Sequence, residues 1–240
     1  MNGALIAWAR GRRSRPGLLI RARSGTAEPG DAGLAAALAL EIATGPAGAD
    51  LATQAWRTIE LLDLGPVASG RSDALLALLM APPAPPLPLI LPTGAVLHDA
   101  GAAALAGEAL ALRALTKGHR ADEPPVRARL DGLARRGPGM EGATRRASAL
   151  HGIAADAVHY PAAIDRLVAG LAAMQRHDGS WGEDDFFHVG QALLAVDHAD
   201  ADRALRRSRD TLAEMQQQDG GFGSEERSWI ACRWLGRVGG

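Results

Sequence analysis

The sequence predicts an all-α protein assembled from helical hairpins, and three observations carry that prediction. The first is an internal repeat: Arg166 to Gly182 reads RLVAGLAAMQRHDGSWG, and Arg207 to Gly223 reads RSRDTLAEMQQQDGGFG. At a constant offset of 41 residues, Met174 pairs with Met215, Gln175 with Gln216, Asp178 with Asp219, Gly179 with Gly220, Trp181 with Phe222 and Gly182 with Gly223. A fixed period of this size marks a repeat architecture. The second is the helical spacing of apolar Leu167, Leu171 and Met174 ahead of an Asp-Gly turn. The third is the near absence of alternating, β-branched segments, with only Leu18 to Ile20 suggesting a short strand.

Taken in chain order, worn copies of the hairpin precede the two firm ones. SGTAEPGDAGLAAALAL at 24–40, GPVASGRSDALLALL at 65–79 and TGAVLHDAGAAALAGEALAL at 93–112 each keep a Gly turn followed by an Ala/Leu helix. APPAPPLPLILP at 81–92 places six prolines in twelve residues, so it is extended backbone and serves as a stiff connector. RARLDGLARRGPGMEGATRRASAL at 127–150 is a further copy, with Met140 in the place of the aromatic residue and Pro138 in that of the turn glycine. In the firm copies Glu183, Asp184 and Asp185, and later Glu225 and Glu226, suit the start of a second helix. The whole chain, 1–240, reads as one helical-repeat domain.

Composition narrows the function. With 26 Lys and Arg against 27 Asp and Glu, the net charge is -1, and no strong positive field exists to hold nucleic acid. Lys117 is the sole lysine, an arginine bias expected of a GC-rich bacterial genome. A single cysteine, Cys232, excludes an intramolecular disulfide and a Cys-built zinc cluster. No apolar run spans a membrane, and Arg10, Arg12, Arg13 and Arg15 follow too short an apolar start for a signal peptide, so a soluble, cytoplasmic protein is expected. The chain lacks a Walker-type loop, a Gly-x-Gly-x-x-Gly turn after a strand and a Gly-x-Ser-x-Gly elbow, and no cofactor or metal is expected.

The run Gln175 to Gly182, QRHDGSWG, and its partner Gln216 with Asp219 to Gly223 resemble the QW-type repeats of the squalene-hopene cyclase, class II terpene cyclase and protein prenyltransferase superfamily. The resemblance implies an α/α toroid, or part of one, with inner helices around a cavity and with Gln175, Trp181, Gln216 and Phe222 bracing successive hairpins. The acidic motif of the class II cyclases falls on Gly182, Glu183, Asp184 and Asp185, which puts Asp184 in the place of the proton donor and Gly182 in that of the first aspartate. The prenyltransferase branch implies a zinc held by Asp, Cys and His, for which Cys232 is a lone candidate; a lone Cys on an apolar helix reads instead as a small core residue.

Helical spacing then defines the candidate site. Asp184, His188 and Gln191 lie on one stripe, and the repeat offset carries it to Glu225, Trp229 and Cys232. Glu108, Arg145, Arg146 and His151 fall near the same face of the degenerate copies. Asp184, Asp185 and His188 are the catalytic candidates, as carboxylates and an imidazole suited to acid/base work. Arg145, Arg146, Gln191, Glu225 and Trp229 are the substrate-binding candidates, the arginines as anion holders. Nine aromatic residues leave few π faces for steadying carbocations. The sequence therefore predicts a bacterial specialised-metabolism enzyme promoting ring formation or elimination on a small polar or anionic substrate. The alternatives are a non-catalytic repeat subunit that completes a partner protein's site, and a true class II terpene cyclase.

Overall fold

The computed structural model describes residues 3–10, 12, 20, 87–91, 93–182 and 185–239. The upstream copies at 24–40 and 65–79, the 81–86 part of the connector, and Glu183 and Asp184 lie outside the described residues.

The chain is mostly helical. Helix α1 (Gly3–Arg10) is followed, among the described residues, by a small antiparallel pair, β1 (Leu89–Ile90) and β2 (Val96–Leu97), with Leu89 opposite Leu97 and Ile90 opposite Val96. Then come α2 (Ala100–Lys117), α3 (Pro124–Arg136), α4 (Ala143–Ile153), α5 (Pro161–Met174), α6 (Phe186–Leu194), α7 (Ala199–Arg207), α8 (Arg209–Glu214) and α9 (Glu225–Val238). Short 3-10 turns at Gly137–Gly139 and Ala154–His159 join α3 to α4 and α4 to α5. No described helix is long and apolar enough to cross a membrane. Of the short strand expected at Leu18 to Ile20, only Ile20 is described, where it is helical and fully buried; Leu18 and Leu19 lie outside the described residues.

The helices form two layers. One is the row α2, α4, α6, α9; the other is α3, α5 and the α7–α8 pair. The inner row runs parallel, as cross-contacts at matched heights show. Asp99, just before α2, meets Arg145 at the start of α4, and a Cβ on Gly152 near the end of α4 would stand 3.0 Å from Ala109 Cα in α2. Thr144 and Ser148 of α4 reach Asp185 and His188 at the start of α6. Small residues make the closest approaches: Gly190 of α6 lies flat against the Trp234 indole of α9, which stacks on Phe186 at 5.0 Å between centroids and donates from Nε1 to the Leu205 carbonyl at 2.9 Å.

The two Asp-Gly turns are built alike. Asp178 Oδ1 accepts from the Ser180 amide at 2.8 Å, and Asp219 Oδ1 from the Gly221 amide at 2.9 Å, an Asx-type closure. Gly179 and Gly220 both take positive φ, +83° and +88°. Gln175 Nε2 donates to Gly179 O at 2.9 Å, and Gln216 Nε2 to Gly220 O at 2.8 Å. Trp181 and Phe222 are buried below, and Trp181 Nε1 donates to Leu171 O at 2.7 Å. Met174, placed by spacing on the apolar face, instead ends its helix at 37% exposure.

Each turn docks on the end of a further helix. Gly179 faces the Arg207 carbonyl at the close of α7, while Gly220 faces the Ala4 carbonyl in the first turn of α1. Gln175 Nε2 also bonds Ala204 O at 2.9 Å and Ser208 Oγ at 2.8 Å, and Ser208 donates to Gly179 O at 2.6 Å. Ser208 interrupts the outer helix of the second copy, because a buried hydroxyl bonding the preceding turn and the Asp-Gly loop competes with continued helix. At the last hairpin, Arg12 lies 3.8 Å from Asp219 and 3.8 Å from Glu225, and Arg227 Nε donates to Thr93 O at 2.9 Å.

Candidate functional site

The inner row carries a polar stripe at helical spacing. On α4 it is Thr144, Ser148 and His151; on α6 it is Asp185, His188 and Gln191; on α9 it is Trp229, Cys232 and Arg233; on α2 it is Arg113, Thr116 and Lys117. Most of it is shut from solvent, with His188 at 2% exposure, His151 at 3%, Gln191 at 5% and Arg113 at 6%. Burying such groups is costly unless each is hydrogen-bonded.

Several are not. His151 Nδ1, His188 Nδ1, Gln191 Oε1, Thr116 Oγ1 and Trp229 Nε1 are buried without a partner. Natural interiors leave few buried polar atoms unpaired, and five fall together on this one row of helices.

His188 and Ser148 face each other across α4 and α6, with Nε2 and Oγ 3.0 Å apart. Burial drives the imidazole down to about 4, with the Thr144 carbonyl opposing the fall only in part, so the ring is neutral near pH 7. His151 is likewise held well below its ordinary value, first by burial and then by Arg113, His188, Arg233 and Lys117. Arg233 comes from α9, with α6 lying between it and α4, so groups from three helices share one electrostatic environment around His151.

The structure brings Asp185, His188, Gln191 and Trp229 of the predicted site onto this row and places Arg145, Arg146 and Glu225 elsewhere. Asp184 lies outside the described residues. Asp185 stands at the N-cap position of α6 without a side-chain capping bond, and its Oδ1 accepts the Thr144 hydroxyl. Arg145 pairs with Asp99 on an exposed edge, and that guanidinium, together with the Ala102 amide, holds the Asp99 carboxyl below its ordinary value. Arg146 donates from Nε to Met140 O and lies against Gly170 of α5. Glu225 faces Arg12 at the start of α9. Glu108 turns to the other layer, 3.5 Å from Arg129 and 3.7 Å from Arg136 of α3. Cys232 is fully buried. Among the described residues no three His, Cys, Asp or Glu side chains gather where they could hold a metal ion.

Ser148, Thr116, Arg113, Lys117 and Arg233 are additions that sequence reasoning missed. Their signal was phase. Ser148 and His188 stand 40 residues apart, as do His151 and Gln191, one fewer than the repeat offset, so an offset of 41 carries His188 and Gln191 to Ala147 and Leu150 and passes over Ser148. Comparison with protein-family models, curated proteins and solved structures gives no match.

Proposed function

We propose that this chain is an enzyme of the lyase or cyclase type that receives a small polar molecule on the inner helical row and moves a proton with His188. The observation that carries the proposal is the set of five unpartnered buried polar atoms on α2, α4, α6 and α9. A neutral imidazole, hydrogen-bonded to Ser148 at one nitrogen and unpartnered at the other, is equipped to accept or relay a proton from a bound molecule. Asp185 acts through Thr144 on the same helix pair and positions α4 against α6.

The wider architecture in this proposal is a toroid of hairpins with a period of about 41 residues, resembling that of the squalene-hopene cyclase superfamily. Two facts support it: the like construction of the two turns, and the docking of α1 on the last turn as the end of α7 docks on the preceding one. Aromatic placement favours a polar substrate over a polyene. Trp181, Phe186, Phe187, Phe222 and Trp234 are spent on the core between hairpins, where their π faces meet one another.

The test is substrate depletion. The purified chain and His188→Gln are each incubated with the polar small-molecule fraction of a GC-rich bacterium, and mass spectra are compared over time. The expected result is a polar metabolite consumed by the wild type and untouched by the variant. Equal profiles from both proteins, with no metabolite consumed, would overturn the enzyme reading in favour of a non-catalytic repeat subunit.

A further inference from the structure

The N-terminal helix stands in the register of an outer helix of the repeat. Gly179 faces the Arg207 carbonyl and Gly220 the Ala4 carbonyl, so the two docked elements are related by an offset of 203 residues, 207 less 4. The same offset pairs Leu5 with Ser208 and Ala9 with Leu212, and all four are wholly buried. It pairs exposed Gly3, Ala4, Ala7 and Arg10 with exposed Arg206, Arg207, Asp210 and Ala213. It also pairs Trp8 with Thr211, and each of these reaches its own Asp-Gly turn: Thr211 Oγ1 donates to Asp178 O, and the Trp8 indole lies against Gly221. One position differs in chemistry, with a local consequence. Ser208 donates to Gly179 O and interrupts its helix, whereas Leu5 has no hydroxyl to compete with the backbone, and α1 runs unbroken from Gly3 to Arg10 through the same place.

We infer that α1 is the closing strap of the hairpin ring: it takes the place of the outer helix of the last copy, and through the turn at 216–223 it holds α9 at the end of the inner row. The inference rests on the ring architecture proposed above and names the element that closes it. Among the inner helices α4 is flanked by α2 and α6, whereas α9 meets α6 alone, so α9 depends more on what packs outside it. Arg12 extends the strap to both parts of the last copy, 3.8 Å from Asp219 in the turn and 3.8 Å from Glu225 at the start of α9, with its guanidinium 4.3 Å from the centre of the Trp8 ring. The register also fixes a length of chain. Gly239 stands at the place of His198, 41 residues earlier, and Gly3 at that of Arg206, so seven residues, 199–205, lie between the two places. Residues 240, 1 and 2 account for three of the seven, which leaves four.

The test joins residue 240 of the full chain to residue 1 through linkers of no residues, four, or about twelve, and reads amide hydrogen exchange in α9. Closure through four residues should slow exchange in α9 about tenfold or more relative to the open chain, because the strap then cannot leave its seat. Closure through about twelve should protect it about fivefold less than closure through four, as the longer loop costs more entropy. Direct closure falls four residues short of the register, so α1 or the end of α9 must come away and exchange should rise. Protection that is no greater with four residues than with none or with twelve would overturn the strap, and so would exchange that no linker alters. If only the longest linker permits the native fold, the ends are neighbours and the ring stands, but the register, and the strap with it, fails; if none does, the ring architecture fails as well. An open chain that is dimeric by light scattering and loses protection in α9 on dilution would put α1 of a second copy in the seat, which also overturns closure within one chain. Depletion of a metabolite by the open chain, dependent on His188, tests the enzyme separately from all of these.

Discussion

Ser148 Oγ and His188 Nε2 meet at 3.0 Å across α4 and α6, and both residues are almost wholly buried. The histidine enters the folded state neutral, so folding and protonation compete. Its folded value of about 4 lies below the ordinary imidazole value of 6.5, and between those values the unfolded chain binds more protons than the native one. Stability from this group is therefore complete above about pH 6.5, and is lost as pH falls toward 4, by about 3 kcal/mol in all. His151 is displaced in the same direction and adds to the loss. Urea unfolding between pH 7 and pH 4 should show this slope, and His188→Gln should flatten it while leaving the His151 share. An unchanged slope in the variant would show that His188 is protonated freely in the native state.

Gly179 and Gly220 should respond alike to Ala, and for one reason. Each takes positive φ, and each has a carbonyl where a Cβ would stand, that of Arg207 for Gly179 and that of Ala4 for Gly220. The backbone conformation alone costs an Ala about 1–2 kcal/mol, and the collision adds to it. The consequence differs by place: Gly179→Ala should separate α5 from α7, whereas Gly220→Ala should loosen α1. Trp8 Nε1 closes on the neighbouring Gly221, so Trp8→Ala tests the distinction. Denaturation of the two single variants and the double should give a non-additive cycle for Gly220→Ala with Trp8→Ala and an additive one for Gly179→Ala with Trp8→Ala.

Gln175 is the brace between two hairpins rather than a site residue. Its amide donates toward Gly179 O, Ala204 O and Ser208 Oγ, which ties the turn after α5 to the end of α7. Gln175→Leu removes the donor that ties the two carbonyls and the Ser208 hydroxyl together, while Ser208 still donates to both carbonyls, so a loss of about 1–2 kcal/mol is expected in chemical denaturation. The inner row does not touch it, and the NMR signals of His151 and His188 should stay in place under native conditions.

The hairpins were legible because their signals are local. An Asp-Gly turn, a Gln four residues ahead of the carbonyl it binds and an aromatic residue two positions beyond the turn glycine announce themselves in two copies, and both turns fold as their residues specify. The partners of those turns were not legible. Nothing near Gly220 signals that Ala4, from the other end of the chain, supplies the carbonyl against it. The site was half legible for a related reason. The stripe of His188 and Gln191 follows from period alone, but carrying it to α4 needed the phase between helices, which depends on turn geometry. The 3-10 turn at Gly137–Gly139 and the positive φ of Gly142 set that phase, so that Ser148 and His151 face inward and Arg145 and Arg146 face the edge and α5.

Thr116 offers the cleanest separation of stability from function. Its Oγ1 is buried without a partner, on the face of α2 that carries Arg113. Val has the same shape, and its helix propensity is close to that of Thr, so Thr116→Val removes an unpaired hydroxyl and little else. In the free protein an unsatisfied hydroxyl costs on the order of 1 kcal/mol or more, and the variant should be more stable by about that amount. If the hydroxyl exists to meet a bound molecule, the same variant should gain stability and lose activity together: a higher thermal midpoint for Thr116→Val, and slower metabolite depletion than by wild type. A lower midpoint in the free variant would mean that the hydroxyl is satisfied in solution by ordered water, and that this atom is part of the fold rather than of the site.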